Sequence, residues 1–239
     1  MNNYKNLLSQ TNSILKNYEK LAKITGENFN IFSVMGMESN EVKTHSAIIG
    51  ELLNPQGSHG LEVPLKLFIE QILSRLNEIE NQEQVKKKFY LEIKKCISII
   101  EEHIGSISED KSEGGRIDIV IKDKTDKAII IENKIYAPEQ EKQLLRYSNK
   151  YPSAPIIFLT LDGKKPDSAE NMILNNNYFL LSYEKDIIEW LEKCLKEAVK
   201  FPMLREVLQQ YIYLIKKLTH QTTNNKMSEE VKAVIKANY

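Results

Sequence analysis

Two carboxylates and an ammonium group stand at a spacing able to hold a divalent cation against a phosphate ester. The tripeptide Glu-x-Lys occurs five times, beginning at Glu41, Glu92, Glu109, Glu132 and Glu230, so by itself it carries no weight. The copy at Glu132 differs in its surroundings. It ends the apolar run Ala128-Ile129-Ile130-Ile131, and a single acid, Asp118, interrupts a second apolar run, Arg116-Ile117-Asp118-Ile119-Val120-Ile121. Both runs are rich in β-branched residues and read as strands, and residues 122–127 form a polar turn of hairpin length. In a hairpin centred on Thr125, opposed positions share a constant sum, which sets Asp118 across from Glu132. Carboxylates facing each other across strands repel unless a positive charge lies between them, and hard divalent ions take carboxylate oxygens. Alternation along a strand puts Lys134 on the same face as Glu132 and Asn133 on the other. An ammonium there can hold an attacking water and neutralise charge developing on a phosphate.

These residues have to be held by an ordered sequence of elements. Apolar side chains recur at helical spacing over residues 4–22, and a second helix is expected over 40–53, stopped by Asn54-Pro55. A third runs from about Pro64 to Ile79 with the stripe Leu65, Phe68, Ile69, Ile72, Leu73, Leu76. The character changes near residue 89, where Phe89 to Glu101 reads as extended. After the hairpin, residues 139–150 read as a helix, 155–161 as a buried strand and Leu180-Leu181-Ser182 as a short one. Two amphipathic helices follow, carrying Ile187, Ile188, Leu191, Leu195 and then Leu204, Val207, Leu208, Tyr211, Ile212, Ile215. Residues 219–226 read as a polar linker, with a weak helix after Ser228. A helix between two strands predicts a mixed sheet with a crossover.

The segments Gly115-Arg116-Ile117-Asp118-Ile119-Val120, Ile130-Ile131-Glu132-Asn133-Lys134 and Gln143-Leu144-Leu145-Arg146-Tyr147 resemble the PD-(D/E)XK nuclease superfamily. The helix with Glu41 and His45-Ser46, followed by Leu52-Leu53-Asn54-Pro55 and His59-Gly60, resembles one largely bacterial branch of it. The similarity runs from roughly Asn28 to Leu161. The Pro-Asp pair that gives the superfamily its name is absent, since Ile117 precedes Asp118.

The resemblance implies an α/β, restriction-endonuclease-like core: a central mixed β-sheet flanked by helices, with helical N- and C-terminal additions. The expected organisation is 1–88 as an N-terminal helical region that packs on the core and supplies the first acid, 89–218 as the nuclease core with its C-terminal helices, and 219–239 as a linker and terminal helix. The resemblance also implies that Asp118 and Glu132 bind metal together with the Asn133 backbone carbonyl, and that Lys134 assists the attacking water. The metal is expected to be Mg2+, with Mn2+ able to substitute. Gln143 and Tyr147, at i and i+4 on one helix face, resemble an exonuclease-like Gln-x-x-x-Tyr signature and, with His45, are expected to bind substrate or brace the site. A third carboxylate is usually drawn from a helix before the sheet, and Glu41 and Glu51 compete for the role. Ten positions apart, or about 1000° of rotation, they lie on different helix faces. Glu41 shares its face with His45, Ile48 and Leu52 and is expected to be the metal-positioning acid, while Glu51 falls with Lys43 and Ala47 on a solvent side.

Composition sets outer limits. A hydrophobic fraction of 41%, a charged fraction of 28% and zero formal net charge fit an ordinary globular chain whose electrostatic footprint, if any, is local. Cys96 and Cys194 with four histidines give no zinc-ligand spacing, and two reduced thiols are expected. No apolar run is long enough to cross a membrane and the first residues lack a signal-peptide core, so a cytoplasmic protein with no membrane partner is expected. The expected activity is metal-dependent phosphodiester hydrolysis of nucleic acid, DNA first, with self-association left open. The rivals are a catalytically silent nucleic-acid- or protein-binding member, and a helical interaction protein with an incidental hairpin.

Overall fold

The computed structural model describes residues 2–79, 82–169 and 172–237. Its centre is a five-stranded sheet in the order β1-β2-β3-β4-β5, formed by Ile97–His103, Arg116–Lys122, Ala128–Asn133, Ile156–Thr160 and Tyr178–Ser182. β1, β2 and β3 are antiparallel neighbours, whereas β4 lies parallel to β3 and β5 parallel to β4. A tight turn suffices to join antiparallel strands, but parallel ones need a crossover. The β3–β4 crossover carries the helix Gln143–Lys150, α6 in chain order.

Every residue of β3 is buried, as expected for a central strand covered on both faces. Its odd-numbered members Ile129 and Ile131 join Ile119, Ile121, Ile157 and Leu159 in one apolar core, and its even-numbered Ala128 and Ile130 join Val120, Ile156, Phe158, Leu144 and Tyr147 in another. The first core is closed by α3 (Ala47–Leu52), α4 (Val63–Asn77), α7 (Ile188–Glu197) and α8 (Pro202–Leu218), and the second by α6. Two short helices complete the set before the sheet, α2 (Ile31–Val34) and α5 (Glu83–Lys86). The long helix α1 (Asn2–Thr25) packs chiefly on α9 (Thr223–Ala237). Tyr18 donates a hydrogen bond of 2.7 Å to Glu230 across that pair.

The expected helices over 4–22, 64–79 and 204–218 are present within a few residues. The helix expected over 40–53 is continuous, but its first part, Glu41–Ser46, is wound as a wide π-type segment before α3 begins. Three expectations change. The extended reading of Phe89 to Glu101 holds only from Ile97. Ahead of it the chain makes 3-10 turns at Lys87–Phe89 and Ile93–Lys95, and the carboxylate of Asp123 in the hairpin turn accepts from Glu92 N–H at 3.1 Å and ties that approach to the turn. The helix expected from 139 starts at Gln143, because Lys142 is left-handed with φ of +54°. The linker is shorter than read, since α9 begins at Thr223.

Candidate active site

The β2–β3 register is centred on Thr125, pairing Lys122 with Ala128 and Ile119 with Ile131. The next step of that register is Asp118 with Glu132, and there the ladder ends. The amide of Asn133 donates instead to Asp118 Oδ2 at 2.7 Å. The β1–β2 ladder also lapses at this level, running from Ile100–Ile119 to Glu102–Ile117 without the pair between. Glu101, which would complete it, has a φ of +57°, uncommon for a residue with a side chain. It turns to an ion pair with Arg116 Nε at 2.8 Å. Asp118 thus sits where backbone pairing is interrupted on both sides, and its carboxylate takes the place of a ladder acceptor.

Glu132 points to the α6 face and is fully buried. Its Oε1 lies 2.6 Å from Lys134 Nζ and accepts from Gln143 Nε2 at 2.7 Å. Gln143 Nε2 also donates to Tyr147 Oη at 2.9 Å. The Tyr147 hydroxyl has one proton and two acceptors, Arg116 O at 2.7 Å and Glu132 Oε2 at 2.9 Å. Both acceptors are within hydrogen-bonding distance, so that proton is shared between the carbonyl and the carboxylate, and Glu132 has a protein partner on each oxygen. Burial pushes the Asp118 carboxyl up, to about 8, with repulsion from Glu132 adding to it. Burial also raises Glu132, against the pull of the Lys134 ammonium. Burial would lower Lys134, but Glu132, Asp118 and Glu41 outweigh it and keep the ammonium charged.

Asn133 occupies the opposite face. Its Nδ2 donates to Ser46 Oγ at 3.0 Å and Glu41 O at 3.3 Å, and its Oδ1 accepts from Tyr183 Oη at 2.7 Å. Ser46 closes the first wide helical segment and Tyr183 opens a second, Tyr183–Ile187, which leads into α7. The side chain between the acid and the lysine is therefore bolted to both flanking helical units. Sequence reading assigned Asn133 only a backbone role. The signal for the rest was the amide side chain itself, on a strand face otherwise occupied by isoleucines.

Glu41 begins the first wide segment and sends its carboxylate to the turn after β3. Oε1 accepts from the amides of Ile135, Tyr136 and Ala137 at 2.7, 2.9 and 2.8 Å. Glu51 is elsewhere, its Oε1 accepting from both the amide and the hydroxyl of Ser58 at 2.6 Å. The expectation that His45 meets substrate gives way to a buried ring. Its Nε2 donates to Glu38 O at 2.9 Å, so Nδ1, 3.0 Å from Tyr211 Oη, accepts from that hydroxyl. Burial lowers its pKa to about 4 and keeps it neutral. His59 secures the α3–α4 loop through Glu51 O at 2.8 Å. Gln143 and Tyr147 are buried as well, so their contact is with Glu132 rather than with a ligand at the surface.

The structure thus brings Asp118, Glu132, Lys134, Gln143 and Tyr147 together, with Glu41 at the adjoining turn, and sets His45 behind them. Among the described residues no three His, Cys, Asp or Glu side chains gather into a ready-made ion cage. The donor chemistry nonetheless suits a divalent cation. Buried Glu132 lies against the ammonium of Lys134, and half-buried Asp118 accepts only from the Asn133 amide on Oδ2, which leaves its Oδ1 without a protein hydrogen bond among the described residues.

An acid pair, Glu132 buried and Asp118 half-buried, with a lysine at the broken end of a β-hairpin, inside a mixed sheet covered by helices, defines a restriction-endonuclease-like α/β protein. A family profile of the PD-(D/E)XK nuclease superfamily matches residues 29–213, and the chain belongs to that superfamily. No curated protein and no solved structure matches it. Its function is accordingly of the nuclease type, in a superfamily whose enzymes generally use divalent metal ions. Among the described residues no helix is long and apolar enough to cross a membrane.

Proposed function

We propose that the protein is a Mg2+-dependent nuclease that hydrolyses phosphodiester bonds in DNA, with Mn2+ able to substitute. The observation that carries the reading is the meeting of Asp118, Glu132 and Lys134 where the β2–β3 ladder breaks. DNA is put first because the fold is restriction-endonuclease-like, and phage defence, restriction or repair are roles proposed by that analogy alone. The protein would work in the cytoplasm, and self-association is open to test.

Asp118, Glu132 and the Asn133 carbonyl would hold the cation, which supplies Lewis-acid polarisation of the phosphodiester and makes water more acidic. Lys134 keeps its ammonium charged beside Glu132, where it orients the attacking water and neutralises charge developing on the phosphate. Gln143 and Tyr147 fix the orientation of Glu132. Glu41 is the third acid of the proposal. Its grip on the turn at 135–137 sets the direction of the chain leaving Lys134, and its charge acts on both Lys134 and Glu132.

The test is cleavage of linear, circular and single-stranded DNA, and of RNA, with magnesium, manganese or chelator, by wild type and by Asp118→Asn. Metal-dependent DNA cleavage lost in the variant is expected. The absence of cleavage under every metal condition would sink the reading. It would favour a silent nucleic-acid-binding member, for which the observation in hand is that both oxygens of Glu132 already have protein neighbours.

A further inference from the structure

We infer that the cavity on the outer side of Lys134 is a subsite for one unpaired nucleotide next to the scissile phosphate, with Tyr136 stacking on its base and Lys164 holding its phosphate. The inference rests on the nuclease reading and goes beyond it in naming the strand state of the substrate. The cavity has a volume of about 310 Å3 and is lined by the turn after β3, the loop after β4 and the end of α8. That volume lies at the small end of the range for ligand sites. Lys134 forms part of its wall, so whatever fills it adjoins the reacting phosphate.

Two side chains in it have no other evident employment. Tyr136 is 67% exposed although it directly follows the Glu-x-Lys segment, and its backbone is fixed by its hydrogen bond of 2.9 Å to Glu41. A large aromatic left in solvent on an immobilised backbone is a stacking platform, and stacking needs a base whose face is free. Lys164 forms no ion pair among the described residues. Its backbone is set by a tight turn in which its amide donates to Thr160 Oγ1 at 3.1 Å and to Asp162 Oδ1 at 3.2 Å, with Gly163 at φ of +75°. An ammonium without a counterion, on a side chain that leaves a fixed stretch of backbone, suits a phosphate.

A second, larger cavity of about 750 Å3 shares Lys134, Ala137 and Lys164 with the first and continues toward α6. A strand can therefore pass Lys134 with space on both sides of it. Asp162 and Glu184 also line the smaller cavity. Their repulsion confines it to a single nucleotide rather than a run of phosphates.

The test uses the full chain in chelator, so that nothing is cut, and a single-stranded DNA oligonucleotide carrying 2-aminopurine, with its duplex as the comparison. Wild type is expected to quench the probe in the single strand, with Tyr136→Phe and Tyr136→Trp retaining the effect. Tyr136→Ala should abolish the quenching and weaken single-strand binding roughly 5- to 150-fold, as for the loss of one stacked base. Lys164→Ala should reduce the slope of log affinity against log salt by about 0.7, the value for one phosphate on a single strand. Tyr136→Ala that binds and quenches like wild type, or that weakens duplex and single strand equally, overturns the subsite while DNA cleavage by wild type leaves the nuclease reading standing. A wild type that cleaves no nucleic acid with any metal overturns both.

Discussion

At the scale of single residues, the site is a contest over charge in a buried place. Lys134→Ala is expected to cost about 2.7–4 kcal/mol of transition-state stabilisation, as for removal of one preorganised donor. Glu132 can answer the loss of its partner by taking up a proton, so the fold should survive. Single-turnover cleavage beside a thermal melt separates the two, and wild-type rates in the variant would remove Lys134 from the mechanism. Asp118 offers a test by pH. Its carboxyl titrates near 8 in the folded chain against about 3.9 when unfolded. The native state therefore holds an extra proton between those values, and metal-free stability falls as pH rises through them. His45 acts in the opposite sense lower down. Its folded value near 4 against an ordinary 6.5 means that stability falls as pH drops from 6.5 to 4. Between pH 6.5 and 8 Asp118 contributes at most about 1.4 kcal/mol per pH unit for its one proton. The metal-free melting temperature should thus decline across this window in wild type and less steeply in Asp118→Asn. Equal slopes in the two proteins would contradict the placing of that proton on Asp118.

At the scale of elements, the wide segment Glu41–Ser46 is the piece that joins the helical layer to the end of β3. Glu41→Ala leaves three amides of the 135–137 turn without their acceptor. A loss of roughly 1.5–3 kcal/mol in stability is expected, the range for hydrogen bonds to a charged group, together with impaired cleavage. Glu51→Ala frees only the 58 loop and should leave cleavage near wild type, measured in the same assay. The reverse ranking would make Glu51 the third acid. The hairpin was legible in the sequence because Asp118 and Glu132 each break an isoleucine-rich run at matched distance from Thr125, and a period of two permits few registers. The brace behind it was not. Asn133 reaches Ser46, 87 positions away, and Tyr183, 50 positions away, and periodicity says nothing about partners at such distances. His45 was misleading for a related reason. A histidine on a helix looks the same in sequence whether its ring faces a substrate or a tyrosine in the core.

At the scale of the whole molecule, a divalent cation should raise the melting temperature by preferential binding to the folded chain, and Asp118→Asn should lose most of that gain. Calorimetry in magnesium and manganese checks it, and an unchanged melt in both would speak against the carboxyl pair as ligands. The α1–α9 pair lies wholly outside the matched span of 29–213, and α9 buries no residue. Ending the chain after Thr222 should therefore lower stability modestly and leave cleavage intact. A truncated protein that fails to fold would show that α9 is needed by the core. That pair also has a kinetic meaning. Tyr18 and Glu230 meet across 212 positions, the longest separation bridged by any side-chain hydrogen bond among the described residues. Bringing such distant segments together carries a loop-closure cost until the intervening chain is compact. During synthesis α1 must therefore wait, the face that bears Leu7, Ile14 and Ala22 still uncovered, until the sheet and its helices have folded between it and its partner. The clasp is the late step of assembly, and the interval before it closes is when this chain is most open to meeting a neighbour instead of itself.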